Sequence, residues 1–116
     1  MKTRMERDSL GQREVPFAAY YGIQTQRAID NYPISGYRAH AQLIRAIGMI
    51  KKAAAMSNRE LTLIDANRAR AIIQAADEVI AGKWNSQFVV DVYQAGAGVS
   101  FHMNANEVLA NRAIEL

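Results

Sequence analysis

An apolar stripe at helical spacing is the feature of this sequence that most restricts its fold. It runs through residues 37–60, where the charged side chains occupy the other positions. Residues three and four apart are neighbours on a helix, so the spacing predicts an amphipathic helix that buries one face. Gly48 weakens such a helix by about 1 kcal/mol relative to alanine, which indicates close packing at that point. The stripe consists of Leu43, Ile47, Ile50 and Ala54.

A second helix is predicted over residues 66–81. Asp65 is a good N-cap because its carboxylate can accept a hydrogen bond from the first turn, and Gly82 is placed to end the helix. A third helix is predicted from Ser100 to the end of the chain. Residues 83–99 then form a long loop, and their many apolar side chains indicate a functional loop rather than a disordered one.

The beginning of the chain has no such periodicity. Prolines and glycines interrupt residues 1–36, which predicts an irregular segment with a short strand or hairpin near Tyr20 and Tyr21. The expected fold class is therefore mainly α, with an irregular amino-terminal segment, a possible short hairpin and three helices. Residues 1–116 match the size of one domain.

Composition excludes several kinds of site. The chain has no cysteine, and His40 and His102 are not spaced as a metal-binding pair, so neither a disulfide, a metal nor another cofactor is expected. Its net charge of +3 is spread among acidic residues, which argues against a nucleic-acid partner. The polar first residues and the lack of an apolar run of about 20 residues favour a cytoplasmic protein without a membrane partner.

Residues 94–108, QAGAGVSFHMNANEV, give the strongest indication of a ligand site. Gly96 and Gly98 stand directly before the predicted helix start at Ser100. Glycine permits a tight turn and close approach of the backbone to a ligand, and a helix N-terminus offers free N–H groups at the positive end of its dipole. The pattern predicts one wall of a pocket for a small carboxylate or phosphate, although the spacing alone is equally compatible with a turn that binds nothing.

The same block resembles the first conserved region of the aspartase/fumarase superfamily, which runs close to G-[SA]-G-T-x-x-x-M-N-x-N-E. The residues that match it are Gly96, Ala97, Gly98, Met103, Asn104, Asn106 and Glu107. Further matches follow in order through residues 4–29, 31–35, 51–58, 77–82 and 90–98. The resemblance covers essentially the whole chain, which makes it specific.

Within that superfamily the chain most resembles the aspartate ammonia-lyases, because two of its segments match the motifs typical of those enzymes. These segments are AYYG at residues 19–22 and KKAAAMSN at residues 51–58. The resemblance implies the amino-terminal domain of a longer homotetrameric enzyme that converts L-aspartate to fumarate and ammonia. It also implies that the general-base serine lies beyond Leu116, so this segment holds no catalytic residue. Class II fumarate hydratase or another superfamily lyase is the first alternative, and a non-enzymatic helical interaction module is the second.

The resemblance also implies which residues bind the dicarboxylate substrate. The family usually has Thr where Val99 stands and Asn where His102 stands, so these two departures leave aspartate and malate both open. Arg13 and Arg27 are candidates because a guanidinium matches a carboxylate, and structural ion pairs are the alternative. Glu107 fits a structural hydrogen-bonding role better than that of a base. The predicted substrate-binding residues are Gly98, Val99, Ser100, His102, Asn104, Arg13 and Arg27.

Overall fold

The computed structural model describes all residues from Met1 to Leu116 and consists of a two-stranded hairpin followed by four helices. The mainly α fold is therefore confirmed, with one helix more than the sequence predicts. The antiparallel strands β1 and β2 span Thr3–Asp8 and Gly11–Pro16. Helices α1, α2, α3 and α4 span Ile23–Asn31, Ala41–Glu60, Ala66–Ile80 and Val99–Glu115.

The hairpin lies earlier in the chain than predicted, and the expectation of a strand at Tyr20 and Tyr21 was wrong. Its half-buried face is polar: the inward side chains of β1 belong to Arg4, Glu6 and Asp8. A strand normally buries apolar side chains at alternate positions, so this one gives no apolar alternation to detect. The inward charges instead bind neighbouring segments.

Arg4 illustrates this use of an inward charge. Its guanidinium donates to the carbonyl oxygens of Pro16, Phe17 and Ala19 through Nη1, at 2.7 to 3.0 Å, and to that of Tyr21 through Nη2 at 2.7 Å. Four carbonyl groups of the turn between β2 and α1 are therefore held by one side chain, and this turn leads the chain into the first helix.

Helices α2 and α3 lie close to their predicted positions, but the predicted buried stripe of α2 was wrong. Leu43 and Ile50 are 52% and 61% exposed. The face formed by Ile44, Gly48 and Ala55 is buried instead, because α3 packs on that side.

The predicted first helix begins at Ala41 rather than at residue 37, because the His40 ring accepts a hydrogen bond from the Gln42 N–H at 3.1 Å and caps it there. Asp65 caps α3 as expected, accepting from the Arg68 N–H at 2.9 Å.

The predicted close packing at Gly48 is confirmed. A Cβ atom added to Gly48 of α2 would lie 3.0 Å from Ile80 Cγ1 and 3.2 Å from Val79 Cγ1, so the glycine lets α3 approach α2. Helix α4 packs on both α3 and α1. The core lies between α2, α3 and α4 and contains Ile44, Ala75, Ala76, Val79, Phe88, Ala105, Val108 and Leu109.

The segment between α3 and α4 is anchored rather than free. It contains a short 3-10 turn at Asn85–Gln87, and Phe88 is only 1% exposed in the core. The Trp84 indole N–H donates to Glu78 Oε2 at 2.7 Å. Both aromatic residues therefore fix the loop, as their apolar character predicts. None of the helices combines the length and the apolar composition needed to cross a bilayer.

A bidentate ion pair joins α3 to α4. Arg112 donates to both carboxylate oxygens of Glu78, through Nε at 2.7 Å and Nη2 at 2.9 Å. The hydrogen bond from Arg112, assisted by the one from Trp84, lowers the pKa of Glu78 to about 2. The pair therefore stabilises the fold while Glu78 is ionised.

Acid should weaken the fold through Glu78. A carboxylate whose pKa is depressed by folding stabilises the native state above its unfolded pKa, and this contribution is lost as the pH falls through the folded pKa. We expect the free energy of unfolding to fall between about pH 4 and pH 2. Urea unfolding at a series of pH values measures this effect. Between about pH 4 and pH 2 the free energy of unfolding should fall less in Glu78→Gln than in the wild type. Glu14→Gln, which removes a carboxylate at an exposed position of β2, should follow the wild type. Identical acid profiles for Glu78→Gln and the wild type would contradict this assignment.

Candidate functional site

The glycine turn before α4 has the geometry of a donor site. Gly98 is the N-cap residue with φ of 74°, a left-handed conformation that favours glycine. Its own N–H donates to the Ala95 carbonyl at 2.9 Å, and the Phe101 N–H donates to the Gln94 side chain at 2.8 Å. The remaining first-turn N–H groups, those of Val99 and Ser100, have no acceptor within the chain. Gly98 therefore contributes the turn and not a free N–H group, and two free donors follow it.

A mostly apolar groove of about 390 Å³ adjoins this turn. Gly96 and Gly98 line it together with Gln94, while Leu43 of α2 and Phe101 of α4 contribute apolar surface. An apolar surface beside free N–H groups lowers the local dielectric constant and so strengthens their attraction for an anion.

Asp91 holds the loop that carries the glycines. It is 7% exposed and accepts hydrogen bonds from the Ser35 N–H, the Gly36 N–H and the Ser35 hydroxyl at 2.7 to 2.9 Å, and from the Tyr93 N–H at 2.9 Å. Burial raises the pKa of this carboxyl, but the hydrogen bonds outweigh burial and hold the pKa at about 2. Asp91 is not among the predicted site residues, although a single acidic residue inside the apolar run FVVDVY is a signal for it.

His102 and Val99 are exposed on the first turns of α4, and Val99 is 53% exposed. The Nδ1 atom of His102 lies 3.2 Å from Lys51 Nζ of α2, and its Nε2 atom lies 3.2 Å from Asn106 Nδ2. Val99, His102 and Asn106 are three and four residues apart, so they share one face of the helix. Lys51 is not among the predicted site residues, because no local sequence pattern pairs it with residue 102.

Asn104 occupies a different side of α4. It is 0% exposed, its Oδ1 accepts from the Val89 N–H at 3.0 Å, and its Nδ2 donates to the Gln87 carbonyl at 2.9 Å. The amide therefore joins α4 to the preceding loop, and a substrate would reach it only by displacing these hydrogen bonds. Ser100, one turn earlier in α4, is half-buried and keeps its N–H free.

Both candidate arginines form ion pairs within the amino-terminal segment. Arg13 Nε lies 2.8 Å from Asp30 Oδ2, and Arg27 contacts both oxygens of Asp8 at 2.8 and 2.9 Å. The hydrogen bond to Asp8 raises the pKa of Arg27, as the one to Asp30 raises that of Arg13. The geometry is thus that of the structural alternative, because these pairs join the hairpin to α1.

Glu107 has the predicted structural role. Its carboxylate accepts from the Gln24 N–H at 3.1 Å, the Thr25 N–H at 2.7 Å and the Thr25 hydroxyl at 2.6 Å. Glu6 accepts from the Ile23 N–H at 3.0 Å. Two remote carboxylates therefore cap α1, whose N-cap residue Gly22 offers no side chain.

A family model described as Lyase matches residues 11–116, which include the glycine turn and nearly all of the fold. The chain belongs to this family, the aspartase/fumarase superfamily. The superfamily membership expected from the conserved block is thereby confirmed.

Lyases of two activities are similar to this chain. An aspartate ammonia-lyase from a Bacillus species is 58% identical over 113 residues, which cover 97% of this chain and 24% of the relative. A class II fumarate hydratase from Halobacterium salinarum is 60% identical over 113 residues, with the same coverage of 97% and 24%. The chain thus spans about a quarter of the length of these curated relatives.

A solved lyase shares the fold. The crystal structure of a fumarate lyase:delta crystallin from Brucella melitensis in native form superimposes with a TM-score of 0.95 at 50% identity. The match covers 98% of this chain and 27% of that one. The hairpin and four helices are therefore the arrangement found in a lyase of this superfamily.

Proposed function

We propose that this chain is the amino-terminal domain of a longer cytoplasmic aspartate ammonia-lyase, a homotetramer that reversibly removes ammonia from L-aspartate to give fumarate. The observation that carries this proposal is the pair of unpaired N–H groups at Val99 and Ser100, placed after a left-handed glycine. The 58% identity to an aspartate ammonia-lyase and the superfamily block around these residues support the choice of reaction.

The reaction needs donors aimed at a carboxylate. A base removes a proton from the carbon beside one carboxylate, the electron pair moves into that carboxylate, and the resulting doubly charged aci-carboxylate collapses as the C–N bond breaks and ammonia leaves. Preorganised N–H groups stabilise such an anion more than they stabilise the ground state. The N–H groups of Val99 and Ser100 supply one wall of donors in this proposal, while the general-base serine and the other walls come from chain beyond Leu116 and from other subunits.

An assay of the longer protein tests the reaction and the substrate together. We expect fumarate absorbance to rise with L-aspartate and ammonia to be released in equal amount. Activity with malate but not with aspartate would replace the proposal by a class II fumarate hydratase, the activity of the relative that is 60% identical. Absence of both activities would contradict the enzymatic proposal and favour a helical interaction module.

Val99→Thr should alter the kinetics of the longer enzyme. Val99 is 53% exposed, so threonine fits without repacking and adds a hydroxyl where the family usually has one. A hydrogen bond to a charged group contributes about 1.5–3 kcal/mol, so we expect kcat/KM for aspartate to rise roughly tenfold or more. Ile50→Thr is the control, since Ile50 is also β-branched, is 61% exposed on α2 and does not line the groove beside the glycine turn. Unchanged kinetics with both aspartate and malate would show that position 99 does not face the substrate.

A further inference from the structure

Lys51, His102 and Asn106 form a row of polar side chains between α2 and the exposed face of α4. Lys51 Nζ lies 3.2 Å from His102 Nδ1, and the other ring nitrogen, Nε2, lies 3.2 Å from the Asn106 side-chain amide. Both nitrogen atoms of the imidazole ring are therefore within hydrogen-bonding distance of a partner.

Lys51 has no carboxylate partner. No salt bridge of the chain involves Lys51, whereas the neighbouring Lys52 contacts Asp77 Oδ1 at 2.7 Å. Partial burial alone lowers the pKa of the Lys51 ammonium, with no acidic residue opposing it. The ammonium group therefore points one of its N–H bonds at the His102 ring rather than at an anion.

The chemistry of the ammonium fixes which ring nitrogen carries the proton. A lysine ammonium donates hydrogen bonds and accepts none, so Nδ1 of a neutral His102 must be the acceptor and Nε2 must carry the hydrogen. Nε2–H then requires an acceptor at Asn106, and the amide oxygen supplies it once the nitrogen and oxygen of that side chain are exchanged. Lys51 and both ring nitrogens of His102 then have complementary partners, at the cost of the weak 3.8 Å hydrogen bond from Asn106 Nδ2 to Met103 Sδ.

We infer that Lys51 is a positioning residue that holds His102 in the Nε2–H tautomer. The ring then offers an N–H donor at the position where the superfamily usually has the amide of an asparagine. A carboxylate oxygen of the substrate can replace Asn106 as its acceptor. This last consequence rests on the proposed function, whereas the tautomer itself does not.

Nitrogen-15 NMR of the histidine rings tests the tautomer directly. The chain has only two histidines, and His40 is an internal reference because its Nδ1 accepts from the Gln42 N–H at 3.1 Å. At about pH 8.5, where free imidazole is neutral, we expect His102 to be protonated on Nε2 alone. In Lys51→Met the fraction protonated on Nδ1 should rise at least several-fold.

Two further variants separate this role from general packing. Lys51→Arg should retain the single tautomer because a guanidinium also only donates, and Lys52→Met should leave the His102 signals unchanged. Protonation of Nδ1 in the wild type would overturn the inference even if Lys51→Met failed to fold. An unchanged tautomer in a folded Lys51→Met would overturn it as well. These NMR signals do not depend on turnover, so the tautomer can be confirmed or refuted whether or not the proposed lyase activity is found.

Discussion

Replacing Asn104 with alanine should lower the free energy of unfolding by about 3 kcal/mol. The side chain is 0% exposed and bridges the Val89 N–H and the Gln87 carbonyl. Its removal leaves the Val89 N–H and the Gln87 carbonyl, both partly buried, without their partners, and an unsatisfied buried group costs about 1–3 kcal/mol. Urea unfolding followed by circular dichroism measures the loss.

Asn106→Ala is the matched control for this change. It removes the same amide from the same helix, but Asn106 is not fully buried and its contacts are with His102 and Met103. We expect its effect to stay below about 1 kcal/mol. Equal effects of the two substitutions would show that the bridge to the loop does not determine the stability of α4.

Glu107→Ala should destabilise the fold by about 2 kcal/mol or more. The carboxylate accepts three hydrogen bonds from Gln24 and Thr25, and Thr25 is 0% exposed. Hydrogen bonds to a charged acceptor are stronger than neutral ones, and water reaches the buried threonine hydroxyl poorly once the carboxylate is gone. Thermal unfolding together with amide hydrogen exchange in α1 measures the effect.

Glu60→Ala provides the comparison for Glu107→Ala. It also removes one negative charge from a helix, but Glu60 is exposed at the end of α2 and forms no salt bridge. We expect little change in stability and unchanged exchange in α1. Loss of α1 protection in Glu60→Ala, or full protection in Glu107→Ala, would contradict the capping role.

The capping of α1 by Glu6 and Glu107 also explains why residue 22 is a glycine. A Cβ atom added to Gly22 would collide with Glu107 Oε2 and lie 2.9 Å from Glu6 Oε1. The backbone of Gly22, with φ of −122°, suits any residue. The requirement for glycine at this position is therefore one of space for the two carboxylates rather than of backbone conformation.

Elements with local signals were predictable from the sequence. Helix α3 begins after Asp65 and ends before Gly82 because both signals lie within a few residues of the helix. Helix α1 was not predicted, because its caps come from Glu6 and Glu107, which are distant in sequence. The position of the hairpin could not be predicted from apolar alternation, because the inward side chains of β1 are charged.

The candidate site was predictable in part for the same reason. The glycines and the helix start form one short motif, so the turn at Gly98 and the free N–H groups after it could be expected. The partners of the site residues could not, since Lys51 meets His102 across 51 residues of sequence. Nor could the sequence show that the loop residues Val89 and Gln87 bind the Asn104 amide and bury it.

The capping of α1 by α4 also constrains when this segment can fold. Glu107 contacts Thr25 across 82 residues, and contacts so distant along the chain form only after a large loop has closed. During translation, Glu6 precedes α1, but α1 is synthesised long before its second capping residue, Glu107. The N–H groups of Gln24 and Thr25 therefore gain their native acceptor only after Glu107 has been synthesised.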